Sequence, residues 1–174
     1  SQWNQTAKLK SSTVIMNASF GGVNKEGVDI HGDYAIVSAG YENNATGAVY
    51  IFQRSGQAWN QIAKILPDAI GSGDVFGRSV AIYNVGETVY AASSTIDYQG
   101  KGAVFIYKKS SGSNNFVLDD KIIYASDRTS NSLFGESIDF DYYELNGQGY
   151  YTLVVGATQD LAENQGGQQE GSVY

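Results

Sequence analysis

Asp139, Asp141 and Glu144 form an acidic cluster in which two carboxylates could serve glycoside hydrolysis as acid and as base or nucleophile. Asp139 and Asp141 alternate with the aromatics Phe140 and Tyr142, so at strand spacing they share one face. No acid–base partner stands near them in sequence, and a structural or solvated face is the expectation. His31 is the only histidine, so a Ser-His-Asp triad would depend on a residue that sits beside Gly32 in an expected turn. With no credible nucleophile–base pair, catalysis is not expected. Trp3 and Trp59 could stack on sugars. Each recurs at one place in a repeat, however, which points to packing that seals blade against blade. Three sequons, at Asn4, Asn17 and Asn44, offer glycosylation candidates at no more than chance frequency, with Asn44 best placed in a loop between two expected strands.

The elements that position these residues come from internal repetition. Trp3-Asn4-Gln5-Thr6-Ala7-Lys8-Leu9 returns 56 residues later as Trp59-Asn60-Gln61-Ile62-Ala63-Lys64-Ile65, and a weaker copy, Phe116 to Ile122, follows 57 residues after that. Gly47-Ala48-Val49-Tyr50-Ile51-Phe52 returns as Gly102-Ala103-Val104-Phe105-Ile106-Tyr107, and Gly171-Ser172-Val173-Tyr174 begins a third copy. Phe76-Gly77-Arg78-Ser79 returns as Phe134-Gly135-Glu136-Ser137. Each period reads as four short antiparallel strands joined by Gly-rich turns, and no segment has useful helical periodicity. Four strands in 50 to 60 residues is the arithmetic of a β-propeller blade. The Trp and Gly-Ala-Val strands are expected toward the outside of a blade, with the small-residue second strand near the axis.

Composition agrees. The 174 residues carry 42% apolar and 17% charged side chains, 21 glycines, 13 tyrosines and one proline, which suits an all-β domain of short strands and tight turns. A net charge of −7 disfavours nucleic acid and anionic membrane surfaces as partners. Without cysteine there are neither disulfides nor thiolate metal sites. No apolar run is long enough to cross a bilayer, and the polar start is no signal peptide. An excerpt of a longer protein is expected, because the chain begins and stops at repeat landmarks.

In Phe76-Gly77, Phe134-Gly135, Val155-Gly156-Ala157, the Gly-Ala-Val-Tyr strand and Trp-x-Gln-x-x-Lys-hydrophobic, the chain resembles the FG-GAP repeats of integrin α-subunit propellers and of many secreted or surface proteins. The first repeat departs, with Asn24 and Lys25 at the aligned Phe-Gly place and Phe20-Gly21 a few residues upstream. The second has Ala91-Ala92-Ser93 in place of Gly-Ala. The resemblance implies a β-propeller fragment, about three blades' worth of a ring that usually closes with seven. Residues 1–10 would be the outer strand of a preceding blade, 20–66 and 74–123 blades, and 133–174 an incomplete blade. Such a fragment cannot close a ring alone, so further chain or neighbouring protomers are expected to complete it. The family can hold Ca²⁺ in a loop before the Val-Gly-Ala strand. Here that window keeps oxygens at Glu144, Asn146 and Gln148 but only one carboxylate among the four matched positions, a degenerate loop with no cofactor required. The implied function is a non-catalytic extracellular or cell-surface module for adhesion or recognition of protein or glycan. Its contact surface would be loops such as Tyr41 to Thr46 and Asp97 to Lys101. The alternatives are a structural subunit that self-assembles into an extracellular filament or coat, and an accessory propeller of a larger secreted enzyme.

Overall fold

The computed structural model describes residues 4–13, 16–22, 27–125, 132–159 and 171–174; Trp3, Asn24 and Lys25 lie outside these. Strands dominate, because runs rich in Val, Ile, Tyr and Phe pack well on pleated faces and are punctuated by two-residue turns. The first sheet is a meander of β1 (Val28–His31), β2 (Tyr34–Ala39), β3 (Ala48–Ser55) and β4 (Ala58–Ile65). The second repeats it with β5 (Val80–Val85), β6 (Thr88–Thr95), β7 (Ala103–Lys109) and β8 (Val117–Ile123). The third holds β9 (Phe134–Leu145), β10 (Gln148–Ala157) and β11 (Ser172–Val173). All neighbouring strands are antiparallel, and the sheets stack face to face as successive propeller blades.

The blades converge on their first strands, β1, β5 and β9, with the second strands one place further out. The small-residue second strands thus lie near the axis, with the first strands inside them. The inner edge of each first strand would expose backbone N–H groups, and side-chain acceptors from the preceding sheet satisfy some of them. Asp29 Oδ2 accepts from the Ile82 amide at 2.8 Å, and Ser79 Oγ from the Ile138 amide at 3.2 Å. The buried Ala35, Ala39, Ala91, Ala92, Ser93 and Ser94 of the second strands let sheets approach closely.

The Phe-Gly segment joins one blade to the next. Its phenyl ring packs edge to face on the aromatic of its own third strand: Phe20 on Tyr50 at 5.5 Å, Phe76 on Phe105 at 5.6 Å, Phe134 on Tyr174 at 5.3 Å. Its backbone lies on the preceding sheet, where Phe76 bridges Gly47 and donates its amide to Thr46 O at 2.9 Å. A Cβ on Gly47 would stand 2.0 Å from Phe76 O, and one on Gly102 1.9 Å from Phe134 O. Arg78 and Glu136, each following a Phe-Gly pair, join the second and third sheets by a two-point ion pair with N–O distances of 2.6 and 3.2 Å.

The departure in the first repeat disappears in three dimensions. Phe20 bridges Ala39, and the Gly21 amide donates to Ser38 O just as Gly77 does to Ser94 O. Phe20-Gly21 therefore occupies the Phe-Gly place.

Trp59 is not sealed between blades as expected. It is half-buried on the face of the first sheet turned away from the second, beneath the Arg54 guanidinium at 5.9 Å. Together with Thr6, Ala7 and Leu9 it lines a groove of about 620 Å³. In the repeat, Thr6, Ala7 and Leu9 match Ile62, Ala63 and Ile65, which line a groove against Phe116, the residue matching Trp59. Residues 4–10 thus lie where the outer strand of a preceding blade would lie. Trp59→Ala is expected to cost about 1 kcal/mol, roughly half the value of a fully buried large apolar side chain. Chemical denaturation measures it.

Tyr107, buried beside Phe76, has its pKa pushed up to about 12, first by burial and then by the negative charge of Asp68. A folded-state pKa above the unfolded value of 10.0 means that neutral Tyr107 supports the fold below pH 10. That support is lost as pH rises through about 12. Tyr107→Phe should flatten the alkaline loss of stability across this window, followed by thermal denaturation at stepped pH.

Candidate functional site

In the first two sheets the loops between second and third strands are built differently. In the first sheet, Tyr41 leads into a turn in which Asn43, Asn44 and Ala45 all take left-handed φ of 53°, 57° and 60°. Three such residues in a row are costly for L-amino acids, least so for Asn. Glu42 anchors the turn. Its side chain is buried, accepts from Tyr50 Oη at 2.7 Å through Oε2, and is ion-paired through Oε1 with Lys64, the cross-strand neighbour of Tyr50. The Lys64 ammonium also lies 5.4 Å over the Tyr50 ring. Burial works to lower the Lys64 pKa, but hydrogen bonds with Glu42 and Tyr50 and the Glu42 charge outweigh it, and the pKa is raised. From the other side, the Gly73 and Val75 amides donate to Ala45 O at 3.1 and 2.8 Å, and Ser72 Oγ to Asn44 O at 2.8 Å.

The result is a pinned turn that holds Asn43 and Asn44 exposed. Removing the anchor leaves Lys64 without its partner and the Tyr50 hydroxyl without its acceptor, so Glu42→Ala should cost about 2–3 kcal/mol. The Gly73 and Val75 amides should lose hydrogen-exchange protection at the same time, which separates release of the turn from global unfolding. In the second sheet, the loop from Asp97 to Lys101 holds a 3₁₀ turn, Tyr98–Gly100, anchored by buried Tyr98, which packs on Phe105 at 5.5 Å and Tyr124 at 6.2 Å, with Asp97 and Gln99 exposed.

The opposite end of the molecule carries the hairpins between first and second strands. Beyond the equivalent pairs Val28–Val37, Val80–Ser93 and Ile138–Val155, they extend by three, five and seven residue pairs. Each leans on the next, so an aromatic row crosses the three sheets. His31 stacks on Tyr83 at 3.8 Å, Tyr83 lies 6.3 Å from Tyr142, Tyr142 5.0 Å from Tyr151, and Tyr151 4.1 Å from Tyr90, over which Lys108 sits at 5.2 Å. Burial first, then the neighbouring Tyr90 and Tyr142, raises the Tyr151 pKa. Sequence reasoning missed this row, because the tyrosines read as strand formers and their alignment depends on the stepwise lengthening of the hairpins.

The sequence candidates fall into place around these features. His31 Nδ1 lies 2.9 Å from Asn84 Oδ1 and 3.2 Å from the Asn84 amide. Asp139 and Asp141 are exposed, share one face, and each accepts the amide of the next residue at 2.9 and 2.8 Å. Glu144, Asn146 and Gln148 are not brought together. Asn146-Gly147, with φ of 53° and 76°, makes a two-residue turn of type I′ that continues the ladder to the Leu145–Gln148 pair. Glu144 lies on the face of Tyr142, whose hydroxyl donates to it at 3.1 Å, and Gln148 on the other. Donors on opposite faces of a tight hairpin do not fit Ca²⁺, which needs six or more converging oxygens. Among the described residues no cluster of three or more carboxylate or histidine groups is placed to hold a metal. Asn4, Asn17 and Asn44 are all exposed, and the sequon hydroxyl of Thr46 donates to Asn43 O at 2.8 Å. No helix among the described residues is long and apolar enough to cross a membrane.

No curated protein sequence matches the chain. A model of the FG-GAP repeat matches residues 3–52 and again 59–107, covering the first two sheets through their third strands. The third sheet repeats their strand order and their Phe-Gly packing. By the matched repeats and by this architecture, the chain belongs to the FG-GAP repeat family.

Proposed function

We infer that the chain is a non-catalytic recognition module, displayed outside the cell or on its surface, whose loops contact a protein or glycan. FG-GAP repeats build propeller-type domains often used in adhesion or recognition and typical of extracellular and cell-surface proteins. The observation that carries the reading here is the pinned turn at Asn43 and Asn44. A run of left-handed residues held against its conformational cost by a buried carboxylate is what a surface needs to present two amides in one geometry. Preorganisation of that kind reduces the ordering cost of binding. The engaged His31 and the exposed, unconverging carboxylates support a role without turnover.

The test is binding of the immobilised chain to a panel of defined oligosaccharides and purified extracellular polypeptides, with Asn43→Ala/Asn44→Ala alongside. Binding that weakens at least tenfold in the variant supports the reading. Turnover of an ester, glycoside or phosphate substrate that disappears in His31→Ala or Asp141→Asn would overturn it.

A further inference from the structure

Inside the molecule the same interface occurs twice, first sheet against second and second against third. Its halves can be followed by repeat position. The receiving half uses a third-strand glycine, the small residue at the end of the second strand, and apolar residues between them. The inserting half uses Phe-Gly and the first-strand aliphatics.

Both halves are also present unfilled. On the first sheet, Val28 and Ile30 match Val80 and Ile82 of the second; the matches are 4% and 2% exposed against the first sheet, whereas Val28 and Ile30 are 58% and 60% exposed. A Cβ on Gly77 would meet Ser38 Cβ at 2.9 Å and one on Gly135 would meet Ser94 Cβ at 2.7 Å, but at Gly21 it would meet nothing within 4 Å. On the third sheet, Val154 and Val173 match Ile36 and Val49, which are 0% and 1% exposed, yet they are 46% and 75% exposed themselves. Gly171 matches Gly47 and Gly102 but has no Phe backbone against it. Asp139 matches Asp29, whose carboxylate accepts an amide of the following sheet.

We propose that the open face of the third sheet binds the open face of the first sheet of a second copy of this chain, reproducing the internal Phe-Gly interlock between molecules. One molecule carries both halves, so the contact is head to tail and passes from copy to copy until it closes a ring or runs on as a filament. The outer edges agree with this. In the inserting copy, residues 4–10 already lie in the place of the outer strand of a preceding sheet, beside Trp59.

The test is the mass of the 174-residue chain by light scattering and sedimentation velocity across the micromolar range. The parent should rise with concentration above 18.7 kDa in whole multiples. Val154→Lys/Val173→Lys blocks one half and Val28→Lys/Ile30→Lys the other. All four positions are exposed, so both variants should keep the strand signal of the parent in circular dichroism and stay at 18.7 kDa. Mixed, they retain one working half each and should form a two-copy species and nothing larger. A parent that stays at the monomer mass throughout, with these faces left for a further sheet of the same polypeptide, overturns the proposal. So does a variant that assembles like the parent, or a mixture that stays monomeric while the parent assembles.

Discussion

Gly102→Ala should cost the protein about 3 kcal/mol or more, beyond the usual range for a single added methyl group because the obstacle is backbone. The new Cβ would stand 1.9 Å from Phe134 O, 2.7 Å from its carbonyl carbon and 2.9 Å from its nitrogen. No rotamer change relieves a clash with main chain, so the third sheet must move off the second. Gly102 itself lies outside the left-handed region, so the loss measures this contact and not a conformational preference. At this chain length the melting temperature should fall by about 6–12 °C. Gly56→Ala is the complementary control. Its Cβ would meet nothing within 4 Å, but φ is 61°, so it should show only the left-handed cost of about 1–2 kcal/mol. Equal losses in the two variants would mean that the Phe134 backbone does not rest on Gly102.

Phe76→Ala should destabilise by about 3–5 kcal/mol, as expected for removal of a large, fully buried aromatic. Phe76 is fully buried, packs edge to face on Phe105 at 5.6 Å and Tyr107 at 6.5 Å, and joins the core shared by the first two sheets. Its backbone is fixed on Gly47, so the segment cannot follow the truncation and fill the void. Phe76→Leu keeps most of the volume and should lose less than about 1.5 kcal/mol. Denaturant titration decides this. A loss for Phe76→Ala no greater than that for half-buried Trp59→Ala would show that the Phe-Gly segment does not carry the junction.

These two residues show where reading the chain succeeds. Phe76-Gly77 and Gly102-Ala103 stand out in sequence because they recur, and they recur because each blade needs the same short backbone contact with its neighbour. Trp59 also recurs, which implies a sealed position, yet it is only half-buried. A repeat fixes a residue's place within its blade, but burial also depends on what lies against that blade, and the outer face of the first sheet is only partly covered. Phe20-Gly21 lies a few residues upstream of the matching place in sequence yet takes the Phe-Gly place in the fold, since that place is set by backbone pairing with the end of β2 and not by distance along the chain. The Glu42–Lys64–Tyr50 trio has no sequence signature, because its members are joined only across β3 and β4 and the turn before them.

The sequence by itself determined the strands, their grouping into repeats and the all-β propeller-type class, because alternation, turn residues and period are local properties of the chain. Only the tertiary structure decided which strand lies innermost, on which faces of their hairpin Glu144 and Gln148 fall, and which apolar residues are left exposed. Glu144 and Gln148 are neighbours in sequence and are parted by one step of a pleat, whereas Phe76 and Gly47 are distant in sequence and are pressed together by the stacking of two sheets. Local spacing cannot report either outcome, since both depend on the register and the face of a strand that the neighbouring sheet selects.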